Sequence, residues 1–194
     1  MSSCSSIFKN RRSIRSFEER PLDEKDLSII LEAGSYAPSG GNSQTTHRIV
    51  ISNHKVLRRL QELVRQEFAK MEVCEDTYKS LKNSILRSKE GNYIYDYQAP
   101  VLIVVANKKG YGNAMADSAM MIENMMLQAA DLGIGSCYIN QLHWLDDNLN
   151  IRKELVELGL REDETVTGGL SLGYAKSQPV CELRRTGNPV TWVR

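Results

Sequence analysis

Residues 113–133, NAMADSAMMIENMMLQAADLG, constrain the fold more than any other stretch of the chain. Their alanines and methionines favour a helix, and that helix would be apolar on almost every side. Exposing a broad face of such a helix to water is unfavourable. The helix is therefore expected in the core of one chain or at an interface between chains. Gly133 is expected to end it, because glycine accepts the left-handed backbone of a helix C-terminus.

Apolar and β-branched runs predict a sheet for this helix to pack against. The run APVLIVVAN at 99–107 is typical of a buried strand. Further strands are predicted over 47–52, 135–140 and 165–175, and helices from Asp23 to about Ala37, from Asn53 onward, around 76–88, and from Asp146 or Asp147 to Gly159. The chain is therefore helix-rich, with helices covering a central sheet in the α/β or α+β class.

The length of 194 residues suits a single domain spanning 1–194, or one subunit of a compact oligomer. The stretch 73–98 stands apart because it is polar and poorly patterned. We expect its helix to be followed by a mobile lid segment, and a lid of this kind shapes substrate choice.

Overall charge and composition argue against several classes of partner. The chain is 41% hydrophobic and 25% charged with a formal net charge of +1, so no field of one sign favours nucleic acid or a membrane surface. The longest apolar run, 101–106, is far too short to span a bilayer. The first twelve residues lack the apolar segment of a secretory signal. We therefore expect a cytoplasmic protein.

The cysteines and histidines predict neither disulfides nor a metal site. Four cysteines, at positions 4, 74, 137 and 181, form no CxxC pair and are expected to be free thiols. The three histidines lack metal-ligand spacing, so no zinc is expected.

Two basic clusters could hold one phosphate from both ends of the chain. In RRSIR at 11–15, a helix would place Arg11 and Arg15 on one face, where like charges repel unless an anion lies between them. Planar guanidinium groups pair well with phosphate oxygens, and Ser13 adds a hydroxyl donor. Arg184 and Arg185 form the second cluster. The alternative is a solvated basic face with no ligand.

The third cluster is APSGGNSQ at 37–44, which has more small and amide residues than a turn needs. Asn42 and Gln44 each offer a donor and an acceptor, and in an extended backbone residues two apart face the same way. Two such amides can read a flat heterocycle, while Gly40 and Gly41 allow close backbone approach. The alternative is a plain loop between a helix and a strand.

Other catalytic patterns are absent from the sequence. There is no hydrolytic triad, no P-loop, and no GxGxxG motif after a strand. Side-chain acid–base chemistry has no clear candidate. This favours a cofactor that brings its own reactivity.

Taken in order, these pieces resemble the FMN-dependent nitroreductase family. The matching segments span nearly the whole chain: RRSIRSF, AGSYAPSGGNSQ, ADSAMMIENMMLQAADLGIGSCYI, GGLSLGYA and the late arginines. The resemblance implies an α+β fold with a central, mostly antiparallel sheet flanked by helices. It also implies a homodimer with two FMN sites at the interface, each built from both subunits.

The resemblance assigns a role to each matching residue. Arg11, Arg12, Ser13 and Arg15 match the N-terminal flavin motif, in which Arg11 and Ser13 would hold the phosphate. Arg15 would lie near the N1–C2=O edge of the flavin, where a cation stabilises the charge that reduction places there. The ring and ribityl chain would be read by Pro38, Ser39, Asn42 and Gln44. A backbone N–H at Asn140 or Gln141 would approach N5, and Arg184 with Arg185 would be late phosphate ligands.

The implied activity is an FMN oxidoreductase that takes a hydride from NAD(P)H at flavin N5 and reduces a nitroaromatic, a quinone or a similar small-molecule acceptor. Two alternatives stay open. One is different chemistry on the same scaffold, such as reductive dehalogenation or oxidative flavin chemistry. The other is a flavin-binding protein without turnover.

Overall fold

The computed structural model describes residues 4–177 and 185–194. Within them, four strands are β1 (His47–Ile51), β2 (Val101–Lys108), β3 (Gly135–Ile139) and β4 (Glu164–Gly173). The helices are α1 (Cys4–Asn10), α2 (Glu24–Ser35), α3 (His54–Lys70), α4 (Lys79–Lys89), α5 (Ala114–Asp131), α6 (Gln141–Trp144) and α7 (Leu149–Glu157), with a short 3-10 turn at Gly40–Asn42. Each predicted strand is therefore present.

The strands form one sheet in the order β1-β2-β4-β3, and every neighbouring pair is antiparallel. Ile49 of β1 lies opposite Val104 of β2, which lies opposite Gly169 of β4. Gly169 in turn pairs with Ile139 of β3. This confirms the α+β prediction and makes β1 and β3 the two edges of the sheet.

Helices cover both faces of the sheet. Successive side chains of β2 point to opposite faces and are apolar on both, so each face needs a covering layer. Leu102, Val104 and Ala106 pack towards α3, α4, α6 and α7. Val101, Ile103 and Val105 pack on the opposite face against α2 and α5. The continuous apolar run that predicted a buried strand reflects this double burial. None of the described helices has the length and hydrophobicity to cross a membrane.

Helix α5 carries methionines on its buried and its exposed sides, as its pattern predicted. Met125 and Met126 are buried against the sheet and α2. Met115 and Met120 remain 47% and 37% exposed in the single chain. Gly133 follows the helix with a left-handed φ of 71°, which confirms its terminating role.

Two helix starts are confirmed and one is corrected. The Asp23 side chain accepts the N–H of Lys25 at 2.8 Å, and Asn53 caps α3. The last helix, however, does not begin after Asp146 or Asp147, because Asn148 is the cap of α7. Asp146 is buried instead and accepts hydrogen bonds from the Val166 N–H and the Thr165 hydroxyl.

The RRSIR segment is extended, so the helical arrangement considered for Arg11 and Arg15 is wrong. Helix α1 ends at Asn10, and the Ile14 N–H then donates to the Ser136 carbonyl of β3 at 2.8 Å. Burial explains the change, since Ile14 is only 7% exposed in this position. Gly135 permits the approach, because a Cβ there would lie 3.1 Å from the Cβ of Ile14.

The segment 73–98 contains α4, close to the predicted helix at 76–88. Ile85, Tyr95 and Asp96 are fully or almost fully buried. The segment is thus anchored to the body at these three side chains. The mobility of the remaining residues stays a prediction.

Candidate functional site

Several of the predicted site residues line three separate cavities of the single chain. We call them the Arg15 cavity, which Gln141 also lines, the Arg11 cavity, which Arg12 also lines, and the loop cavity, which is lined by Pro38, Ser39 and Gln44 among others. Their volumes are about 560, 300 and 110 Å³ respectively. The Arg15 cavity is the largest of these three, and its volume lies within the usual range of small-molecule sites.

The Arg15 cavity is walled by one face of α4 and by the chain that follows it. Four α4 residues at helical spacing contribute: Ser80, Asn83, Ser84 and Arg87. The remaining lining residues are Arg15, Asn92, Tyr93, Ile94, Tyr97, Gln98 and Gln141. Two predicted flavin contacts, Arg15 and Gln141, thus meet in one cavity.

Arg15 stays charged and lies against an aromatic ring. Its guanidinium carbon is 5.9 Å from the ring centroid of Tyr97. Desolvation by burial acts to lower the pKa of Arg15, but its interaction with Tyr97 outweighs this and leaves the pKa above its usual value. A fixed cation therefore faces the cavity.

Tyr93 joins α4 to the turn after β3. Its hydroxyl lies 2.7 Å from the Ser84 hydroxyl and accepts a hydrogen bond from the Gln141 side chain at 2.8 Å. Burial raises the pKa of Tyr93, so the phenol stays neutral. Gln141 also accepts the backbone N–H of Asn140 at 3.0 Å, so that predicted donor is already bonded within the turn.

The Arg11 cavity gathers guanidinium groups at the start of β3. Arg11 and Arg12 line it together with Ser136, Asp131 and residues of α1. Arg11 forms an ion pair with Glu123 of α5 at 3.3 Å. Two arginines and a serine are a donor set that suits a phosphate, although Glu123 already shares the charge of Arg11.

Cys137 is buried close enough to Arg15 and Arg11 to interact with them electrostatically. This proximity was not predicted from the sequence. Burial raises the pKa of this thiol, while Arg15, Ser13 and Arg11 act in the opposite direction. The thiol therefore stays protonated and packs as a small neutral group.

Residues 38–44, which we call the amide loop, have an unusual backbone. Gly41, Asn42 and Gln44 have φ values of 58°, 55° and 49°. Left-handed backbone is unfavourable for residues other than glycine by roughly 1–2 kcal/mol each, and such strain concentrates at functional sites. The Gln44 side chain donates to Asn42 Oδ1 at 3.0 Å. Both exposed amides therefore lie together, although the backbone is not the extended one considered from the sequence.

Asp117 and Tyr111 hold the amide loop in place, and neither was predicted. The Gly40 N–H donates to both carboxylate oxygens of Asp117 at 3.2 Å. The Tyr111 hydroxyl donates to Asp117 Oδ2 at 2.9 Å and lies 3.1 Å from the Ser43 hydroxyl. Asp117 is only 3% exposed. The sequence feature that could have indicated this role is the position of Asp117 as an acidic residue in the first turn of a largely apolar helix.

We expect Asp117→Ala to lower the free energy of unfolding by about 2–3 kcal/mol. The change leaves the Gly40 N–H and the Tyr111 hydroxyl without their charged acceptor, and hydrogen bonds to charged groups are worth about 1.5–3 kcal/mol. Urea unfolding followed by circular dichroism measures the loss. Asp117→Asn, which keeps an acceptor oxygen, should lose less. Equal stability of wild type and Asp117→Ala would contradict this anchoring role.

The amide loop and Arg15 lie at opposite edges of the sheet. The loop leads into β1, whereas Ser13 pairs with Ser136 of β3. Three strand spacings separate the two edges, which is about 14 Å. The turn at Asn140 lies at the same end of the sheet as the loop, but beside β3. In the single chain the two groups therefore line separate cavities.

The late arginines remain a prediction. Arg184 lies outside the described residues. Arg185 begins the described tail 185–194, in which every residue is exposed.

Comparison with known proteins identifies the family. The sequence profile of the group described as "Nitroreductase family" matches residues 8–174, so the chain belongs to the nitroreductase family. It is 28% identical to a protein of Archaeoglobus fulgidus provisionally named an NADH dehydrogenase/NAD(P)H nitroreductase, covering 92% of this chain and 88% of the relative. It is 27% identical to a 4-nitrobenzoate reductase of a Nocardioides species, covering 95% of this chain and 85% of the relative.

A solved structure agrees in fold over the full length. The chain is similar to a nitroreductase with bound FMN from Bacteroides fragilis, with 35% identity, a TM-score of 0.88 and complete coverage of both chains. The family and the fold predicted from the sequence are therefore confirmed.

Proposed function

We propose that this chain is an FMN-dependent NAD(P)H oxidoreductase that reduces nitroaromatic, quinone or similar acceptors. One observation carries the proposal, namely the full-length likeness to the FMN-bound nitroreductase of B. fragilis. The names of the A. fulgidus and Nocardioides relatives support NAD(P)H as donor and a nitroaromatic as acceptor.

The described residues fit FMN in their chemistry. Arg11, Arg12 and Ser13 would hold the phosphate near the Arg11 cavity, since guanidinium and hydroxyl groups are phosphate donors. Arg15 would keep its positive charge beside the ring. Pro38, Ser39, Asn42 and Gln44 would contact the ring and the ribityl chain. The turn at Asn140 and Gln141 would lie near N5, with Arg184 and Arg185 as late phosphate ligands.

When bound, FMN would supply the two-electron relay between donor and acceptor. In the net reaction, NAD(P)H loses a hydride and becomes NAD(P)⁺. A nitro group takes up that hydride's two electrons and proton with one further proton from solvent, one N–O bond breaks, and the oxygen leaves as water to give a nitroso product. The chain's own contribution is to position both reactants in the Arg15 cavity and to stabilise negative charge through Arg15.

The proposal includes a homodimer, because the amide loop and Arg15 lie at opposite edges of one sheet. A second copy would bring the amide loop of one chain to the Arg15 cavity of the other. The exposed methionines of α5, Met115 and Met120, favour an interface along this helix.

The proposal also places the enzyme in the cytoplasm as one domain over 1–194, with a lid within 73–98. The described cysteines, Cys4, Cys74 and Cys137, are all free thiols, which suits a reducing compartment.

An absorbance spectrum of the purified protein, followed by anaerobic addition of NADH or NADPH, tests the proposal. We expect a flavin spectrum that at least one nicotinamide bleaches and that a nitroaromatic or quinone restores. Mass spectrometry of the heat-released cofactor should identify FMN. Recovery of FAD would contradict the cofactor assignment. A yellow protein that neither nicotinamide bleaches would indicate flavin binding without this turnover.

A further inference from the structure

The charged residues that line the Arg15 cavity are all positive. Arg15 and Arg87 face it from different walls, and among the described residues that line it none is acidic. Two carboxylates follow α4 in the chain before Tyr97. Glu90 is exposed and is not among the lining residues, and Asp96 is fully buried and accepts hydrogen bonds from the Gln61 side chain. The cavity therefore presents two positive charges without a counter-charge.

Arg87 has no assigned task in the proposed function. Its guanidinium carbon lies 6.0 Å from the ring centroid of Tyr93. No hydrogen bond or ion pair joins this guanidinium to any other residue of 4–177 and 185–194. Tyr93 is itself fixed by Ser84 and Gln141. The exposed cation thus lies beside an aromatic ring at the cavity wall, with its donors still available.

The backbone on the other side of the cavity is strained. Tyr97 and Gln98 have φ values of 59° and 56°, and both line the cavity. Two consecutive left-handed residues without glycine persist only where the surroundings impose them, and they cluster at ligand sites. In this conformation the Tyr97 ring lies against Arg15, so the second aromatic surface is also fixed.

We propose that Arg87 selects aromatic acceptors that carry a negative charge, such as a ring carboxylate. The inference rests on the proposed function, because it names the acceptor class of the same site. Tyr93 and Tyr97 provide flat surfaces for an aromatic ring, while Arg87 pairs with the anionic substituent and Arg15 remains with the cofactor. The redox step is the one already written, in which the nitro group is reduced to nitroso with loss of water and the carboxylate is unchanged.

The test compares 4-nitrobenzoate with 4-nitrobenzamide, which share a ring and a nitro group and differ in charge. The FMN-loaded protein is titrated anaerobically with dithionite just to full reduction, so that no reductant remains to reduce the acceptor, and is mixed with each acceptor in a stopped-flow instrument. We expect the ratio of the two reoxidation rate constants, carboxylate over amide, to fall about tenfold in Arg87→Gln, since one charge-assisted contact is lost. The constant for the amide should change less than about twofold. The difference should shrink at high salt.

Two further variants isolate the contribution of Arg87. Arg87→Lys should keep most of the preference, because the charge remains. Lys82→Gln removes an exposed positive charge from the same helix without lining the cavity, and should leave the ratio unchanged. An unchanged ratio in Arg87→Gln, or an equal loss for both acceptors, would overturn the inference.

Failure of the inference can be distinguished from failure of the proposed function. Chemical reduction makes the acceptor test independent of NADH and NADPH, whose bleaching is measured separately. If Arg87→Gln impairs only that bleaching, Arg87 serves the nicotinamide donor and the inference is wrong. Ligand-observed NMR with benzoate and benzamide, which are not reduced, gives a second readout. Wild type should bind benzoate more tightly than Arg87→Gln does, whether or not the protein turns over.

Discussion

Arg11→Ala weakens FMN binding by about 10- to 150-fold if Arg11 holds the phosphate. A charge-assisted contact to a phosphate is worth on the order of 1.5–3 kcal/mol, which gives this range. The ion pair with Glu123 reduces the expected effect towards the lower end, because Arg11 is partly neutralised before the phosphate arrives. Titration of the apo-protein with FMN, followed by flavin fluorescence, measures the change.

Arg15→Ala is the matched comparison, because it removes an arginine of the same segment from a different cavity. Its cation matters mainly when reduction places negative charge on the ring. We therefore expect near-normal affinity for oxidised FMN and a lower flavin potential, by about 30 mV for each ~1.4 kcal/mol lost. If the Arg15→Ala potential stays within about 10 mV of wild type, the placement of Arg15 is wrong. Unchanged FMN affinity in Arg11→Ala would indicate a solvated basic face.

The double variant Met115→Glu/Met120→Glu should be monomeric at micromolar concentration and should lose FMN. If α5 lies at the dimer interface, the new carboxylates are buried without partners there, at about 3–5 kcal/mol for each buried charge. Dissociation would separate the amide loop of one chain from the Arg15 cavity of the other. Sedimentation velocity, with flavin absorbance recorded alongside protein absorbance, measures both losses.

Val156→Glu is the control for this variant. Val156 is 42% exposed, similar to the two methionines, but lies on α7 at the opposite face of the sheet. It should remain dimeric and yellow. A wild-type protein that sediments as a stable FMN-bound monomer would contradict the shared site.

Hydrophobic patterning was sufficient to predict most of the fold. The double-sided burial of β2 and the methionines of α5 are direct consequences of runs that are visible in the sequence. The start of α7 was misplaced because two aspartates resemble helix caps. Asp146 is instead drawn inward by hydrogen bonds to β4, a tertiary contact that no local pattern reveals.

The site residues named from the sequence stay a prediction, but the structure corrects the geometry considered for two of their segments. Arg11 and Arg15 looked like neighbours on a helix, yet burial of Ile14 extends the segment along β3. Tyr97 and Arg87 were missed because their roles depend on the shape of one cavity. The amide loop was found from its residues, but its anchor, Asp117, is 77 positions from Gly40 in the sequence.

The anchoring of the amide loop affects how fast and how tightly a ligand can be bound. Ordering a flexible backbone costs about 1–2 kcal/mol of free energy per residue, because conformational entropy is lost. In this protein, Asp117 and Tyr111 bring about that ordering when the chain folds. If the amide loop contacts the flavin ring as proposed, an incoming ring meets amides that are already in position, and the entropy loss does not subtract from the binding free energy. We then expect association to be limited by encounter and access to the site, without a preceding loop rearrangement.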